Sequence, residues 1–127
     1  MARKMYNEDV ELNEFHCNKK LQGHILSSRE MKKAGFRELE DRWFYSRMLD
    51  KKADISFDVS IYKDNPTERV NIEVFDEDYG QHYDFQKYLN KNPHFEFALK
   101  IRNAVEMEMA RLQELGIISG HIKGEYI

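Results

Sequence analysis

The sequence predicts an α+β domain: an antiparallel β-meander of three to four strands packed against a long C-terminal α-helix, with short helices near residues 28–34 and 82–90. Two stretches carry most of this reading. Over residues 55–62 apolar and polar residues alternate strictly, with Ile55, Phe57, Val59 and Ile61 on one face and Ser56, Asp58, Ser60 and Tyr62 on the other. That period of two is the mark of a half-buried antiparallel strand. Over residues 95–115 the period lengthens, and Phe95, Ala98, Ile101, Val105, Met109, Leu112 and Leu115 recur every three or four positions. They form an apolar stripe about 30 Å long at ~1.5 Å of rise per residue. A sheet face and a helix stripe both need cover, and two packed layers cover both at once. Val105 is then a core position and Glu106 a solvated one, where Ala should be nearly silent.

The other elements follow along the chain. Residues 1–26 are read as partly flexible or as an edge strand, since Val10, Leu12 and Phe15 alternate only briefly. Ser27-Ser28-Arg29-Glu30 is a Ser-x-x-Glu capping box, in which hydroxyl and carboxylate each satisfy a free backbone N–H at a helix start. The short helix should stop at Gly35, with Phe36 folding back on its last turn. Aromatic Trp43, Phe44 and Tyr45 mark a core strand over 42–49, and residues 69–76 repeat the alternation with Val70, Ile72 and Val74 inward and Asn71 and Glu73 outward. The links 50–54 and 63–68 are short and polar, the second containing Asn65-Pro66, so consecutive strands should pair. Residues 36–40 supply the fourth strand. Tyr83, Phe85, Tyr88 and Leu89 suggest a short helix, after which Asn92 and Pro93 fit the N-cap and first position of the long one. Gly116 ends that helix, and Ile117, Ile118, Ile122, Tyr126 and Ile127 make the tail apolar enough to dock as a strand or an extended cover.

Composition places the chain among globular proteins: 41% hydrophobic and 34% charged residues, in a length suited to a single domain over residues 1–127. No apolar run approaches the ~18 residues of a membrane span, and no apolar signal core follows the first residues. The one cysteine, Cys17, has no intramolecular partner, which suits a reducing compartment, and a cytoplasmic location is expected. Charge is uneven. Residues 1–53 hold twelve Lys/Arg against nine Asp/Glu, residues 54–84 two against nine, and residues 85–127 six against five. An acidic centre disfavours direct nucleic-acid binding, which needs a basic stripe, and suits a partner with a basic surface.

Candidate sites concentrate in that acidic centre. Asp76-Glu77-Asp78, with Gly80 and Asp84 nearby, offers hard oxygen ligands at a strand end. The spacing is not that of an EF-hand loop, since Lys87 stands at the twelfth position from Asp76, and Phe75 stands where a nuclease Glu-x-Lys set would need Lys. A solvated acidic turn is the preferred reading, and no cofactor is expected. His16, Cys17 and His24 lack a fourth zinc donor at local spacing, and nothing near them marks an oxyanion hole. Phosphate-cradling and nucleophile-elbow motifs are absent. The segment 79–86 combines Tyr79, Tyr83 and Phe85 with acidic and amide groups, a composition of protein interfaces, although such rings also seal the ends of sheets.

In Asp41-Arg42-Trp43-Phe44-Tyr45-Ser46, in Phe75-Asp76-Glu77-Asp78-Tyr79-Gly80-Gln81 through Tyr83-Asp84-Phe85, and in Gly116-Ile117-Ile118-Ser119-Gly120-His121, the chain resembles small accessory proteins of phages and prophages of low-GC Gram-positive bacteria. The resemblance implies a role during infection in the bacterial host cytoplasm, sometimes inhibition of a host defence nuclease, and it carries over no catalytic residue. The leading expectation is a non-enzymatic protein that binds a basic host protein through Asp76, Glu77, Asp78, Tyr79, Tyr83 and Asp84. The alternatives are a metal-dependent enzyme or nuclease using Asp76, Glu77, Asp78 and Glu73, and a structural component that self-associates through the long helix or the tail.

Overall fold

The structure is a computed structural model that describes residues 21–126. Ten elements follow in order: β1 (Gln22–Gly23), α1 (Ser28–Lys33), β2 (Arg37–Glu38), β3 (Arg42–Asp50), β4 (Ile55–Tyr62), β5 (Val70–Asp76), β6 (Gln81–His82), α2 (Phe85–Lys91), α3 (Glu96–Glu114) and β7 (Ile118–Ser119). The fold is α+β, as the sequence predicts. Strands β2 to β6 form a five-stranded antiparallel sheet in chain order, a meander, while β1 and β7 pair separately. Among the described residues no helix is long and apolar enough to cross a membrane.

Local signals account for most boundaries. Ser27 caps α1 with both halves of the capping box in place, and Gly35, at φ 102°, lets Phe36 N–H return to Met31 O at 3.0 Å. Gly116 does the same after α3, where Ile117 N–H reaches Leu112 O at 2.9 Å. The start of α3 differs from expectation. Asn92 is the C-cap of α2, its side chain accepting from His94 N–H at 3.1 Å, and α3 begins three residues after Pro93. With the chain turning at 92–94, Phe95 lies outside the helix and is exposed, as is Leu115 at the other end.

The centre of the stripe is buried as expected: Ala98, Ile101, Val105, Met109 and Leu112 join Trp43, Tyr45, Phe57, Val59, Ile61, Val70, Ile72 and Val74 in one core. Glu108 also lies in this seam, accepting from Tyr45 Oη at 2.8 Å, Arg47 Nη1 at 2.6 Å and Arg111 Nη2 at 3.3 Å. Burial and this carboxylate both raise the Tyr45 phenol above its ordinary value. Gly23 is confined for a different reason. A Cβ there would lie 2.7 Å from Pro66 O and 2.9 Å from Val70 Cβ, so the absent side chain lets β1 close over the β4–β5 turn.

Two expectations of solvation are overturned. The polar face of the sheet is buried, with Asp58 3% and Glu73 7% exposed, together with Ser56 and Asn71. Asp58 stands opposite Glu73 in the β4–β5 register, and Ser46 Oγ donates to it from β3. Ser56 Oγ reaches Asp58 Oδ2 at 3.3 Å and Glu77 Oε2 at 3.0 Å. Buried polar groups are tolerated when hydrogen-bonded, so alternation fixed which face is polar and left its exposure open. Glu106 is the second correction. Its carboxylate holds the tail, accepting from Tyr126 Oη at 2.6 Å, His121 Nε2 at 2.8 Å and Gly124 N–H at 3.1 Å. Burial alone would raise its pKa, but these three donors together outweigh it and hold the group below its ordinary 4.5.

Val105→Asp should destabilise the domain by more than about 3 kcal/mol, because it puts an unpaired charge into the core. Denaturant unfolding measures this, and a loss under about 1 kcal/mol would mean that the stripe is misplaced. Glu106→Gln should cost about 1–2 kcal/mol at neutral pH. Since the folded Glu106 pKa is depressed, its contribution is present above 4.5 and is lost as pH falls through the folded value. The Gln variant should therefore lose less stability than the wild type on acidification, as thermal melts at pH 7 and pH 3 would register.

Candidate functional site

The β5–β6 hairpin builds the acidic end of the sheet. Phe75 pairs with His82 and Asp76 with Gln81, and the turn between them closes through Gly80 N–H to Asp76 O at 2.8 Å. Gly80 takes φ 65°, the left-handed conformation glycine adopts without a side-chain clash. Asp76 Oδ1 accepts from Tyr79 N–H at 3.1 Å and orders the turn from within. After β6 the ladder continues one residue, with Tyr83 N–H donating to Val74 O at 2.9 Å. Asp84 then caps α2 by accepting from Lys87 N–H at 3.0 Å, and Phe85 enters the core fully buried.

These bonds separate the three adjacent carboxylates. Glu77 turns to the polar face of the sheet, where Ser56 Oγ donates to it, and its N–H donates to Asp54 O at 2.9 Å. Asp76 faces the other way, and Asp78 is exposed at the tip. The sequence reads Asp76-Glu77-Asp78 as one solvated cluster, whereas only Asp78 is open. Among the described residues no group of three or more His, Cys, Asp or Glu side chains is placed to hold a metal ion.

Asp76 opens instead onto a groove of about 410 Å³ between the hairpin, α2 and the start of α3. Its floor is Tyr83, stacked on Tyr88 at 5.3 Å between centroids and 20° between planes, and meeting Phe97 edge-on at 5.6 Å. Phe95 packs against Tyr88 at 5.9 Å, and Tyr79, Gln81 and His82 complete the rim. Tyr79 is 79% exposed, a large ring held in water beside two carboxylates. Tyr83 is only 9% exposed, and its hydroxyl is buried with no hydrogen-bond partner among the described residues. Burial first, and then Tyr88 and the Asp76 charge, push that phenol up to about 12.

Of the six residues expected in the interface, Asp76, Tyr79 and Tyr83 meet in this groove, and Asp78 is exposed next to Tyr79 in the chain. Glu77 is bonded on the opposite face and Asp84 is committed to the cap of α2. Sequence reasoning missed Tyr88, Phe95 and Phe97 as walls of the groove, having assigned the first two to helical apolar faces. A usable signal was density: residues 75–97 hold Phe75, Tyr79, Tyr83, Phe85, Tyr88, Phe95 and Phe97, seven of the sixteen aromatics, more than one short helix can bury. Elsewhere, His24 Nε2 shares a 2.9 Å hydrogen bond with Ser119 Oγ, while His16 and Cys17 lie outside the described residues.

Fold and groove together define an α+β sheet protein with an aromatic, acid-edged recess at one end of its meander. Compared with known proteins, the chain matches no family model, no curated relative and no solved structure.

Tyr83→Phe should leave stability unchanged or raise it by up to about 1 kcal/mol, because the hydroxyl it removes is buried without a partner. The folded phenol keeps its proton up to about 12 against an ordinary 10.0, so its contribution is complete below pH 10 and lost as pH rises through 12. Denaturation from pH 8 to 12 should show a shallower alkaline loss in the Phe variant. If that variant were clearly less stable at pH 8, the hydroxyl would have to have a partner.

Proposed function

We propose that the chain is a binding protein whose acidic hairpin and aromatic groove engage a macromolecule with a basic surface. In the setting implied by the phage resemblance, this would be a host protein with a groove made for nucleic acid. The observation that carries the reading is Tyr79, 79% exposed next to Asp78 in the chain and lining an aromatic recess with Asp76. An exposed tyrosine gives up its apolar face to water and recovers that cost when a partner covers it, and tyrosine is enriched where partners dock. Of the nine acidic side chains that residues 54–84 carry against two basic ones, Asp76 lines the groove and Asp78 is exposed next to it in the chain, so the local charge agrees. Complementary charge steers encounter and suppresses wrong partners.

The structure also selects the variants for the test. Glu77 is tied into the polar face, so reversing it would disturb the fold as well as the surface. Asp78 is open and can be reversed cleanly. With a partner captured from bacterial lysate and immobilised, Asp78→Lys should slow association several-fold, and the wild-type rate should fall as salt rises, because charges beyond the ~8 Å Debye length are screened. Tyr79→Ala should act mainly on dissociation, raising it tenfold or more if the ring is a buried anchor. Unchanged kinetics in both variants would exclude this end of the sheet as the interface.

A further inference from the structure

We propose that the groove is a receptor for one arginine side chain of the partner protein. This rests on the reading above that the acidic end binds a basic protein, and it assigns the residue type that enters. Three features converge on a planar cation. The walls are aromatic, with Tyr79, Tyr88 and Phe95 each exposing part of a ring to the groove, and ring faces attract cations within ~6 Å of their centroids. Asp76 supplies the counter-charge. Its Oδ1 is held by Tyr79 N–H, which leaves Oδ2 for an incoming donor. The third feature is Tyr83, nine-tenths buried, which lines the same groove and whose hydroxyl has no hydrogen-bond partner among the described residues.

Arginine fits this set better than lysine. A guanidinium is flat and weakly hydrated, stacks on aromatic faces, and presents five donors in a fixed fork, enough to meet the Asp76 carboxylate and the Tyr83 oxygen from one position. A lysine ammonium is a compact, strongly hydrated point charge with no plane to stack. Among the described residues no lysine or arginine lines the groove, so no side chain of the residue type proposed to enter already occupies it. Tyr88 is half-exposed and stacked on Tyr83, so entry of the guanidinium displaces its ring and gives the buried phenol oxygen a donor.

Three short peptides test this on the intact chain: acetyl-Gly-Arg-Gly-amide, its lysine counterpart and its citrulline counterpart, which keeps the shape of arginine without the charge. Titrations are followed by NMR of the tyrosine ring protons. The arginine peptide should give saturable shifts at Tyr83 and Tyr88, at least fivefold tighter than the lysine peptide, with citrulline silent. Asp76→Asn and Tyr88→Ala should each weaken it fivefold or more, while Tyr83→Phe, which keeps the ring and the fold, should weaken it two- to fivefold. Equal affinity for arginine and lysine, or arginine shifts confined to the hairpin tip, would overturn the assignment. The binding reading has a separate readout: if the captured partner still depends on Asp78 and Tyr79 while the peptides fail, only the arginine assignment falls.

Discussion

A carboxylate buried in the seam between helix and sheet sets the register of the structure. Glu108 leaves water for the inner face of α3 and is satisfied only when Tyr45 and Arg47 of β3 and Arg111 one turn along the helix converge on it. Arg111 also donates to Ala34 O at 3.1 Å and lies over the Tyr45 ring, which ties the end of α1 to the same point. A buried ion pair adds little stability over apolar packing of the same volume, but a buried charge without its partners costs about 3–5 kcal/mol. Sliding or rotating α3 on the sheet would leave Glu108 in that state. Apolar burial supplies the driving force, and this node penalises the other ways of arranging it.

From this seam the rest of the molecule is placed by short chains of constraint. The far side of α3 holds the tail through Glu106, and Tyr126 packs edge-on against Phe85 at 5.1 Å, the residue that anchors α2 in the core. Three consecutive residues then hold the groove. Tyr83 continues the sheet ladder, Asp84 caps α2, and Phe85 is buried. These constraints fix the backbone at Tyr83, while the half-exposed Tyr88 ring stacked on it is the part that the proposed guanidinium displaces.

The polar face of the sheet shows a second way in which the chain manages charge. Asp58 and Glu73 are register partners, two like charges across one strand pair, an arrangement that is destabilising unless donors neutralise it. Ser46 donates to Asp58, and the single Ser56 hydroxyl proton lies within reach of both Asp58 and Glu77, nearer to Glu77. The hairpin that carries the proposed interface is thus fastened to the sheet on the face opposite the groove, and the acidic run 76–78 serves both faces because successive residues point to opposite sides of a strand.

The sequence by itself determined the main elements and the core, but not β6, whose His82 reads as part of the helix that starts only at Phe85. The alternation in β4 and β5, the capping box at Ser27, the glycines after α1 and α3, and the central stripe from Ala98 to Leu112 are all local, and local physics settles them: a period of two or of 3.6, an orphan N–H, a positive φ. Only the tertiary structure decided what each polar or aromatic residue meets. Ser56, Asp58, Asn71 and Glu73 read as outward and are buried, Glu106 reads as solvated and holds the tail, and Asn92 reads as the cap of α3 and ends α2. Phe95 and Tyr88 read as helix stripe and form the wall of a groove. Periodicity tells a side chain's direction, but its surroundings come from residues as distant as the 63 positions between Tyr45 and Glu108, and only folding brings those together.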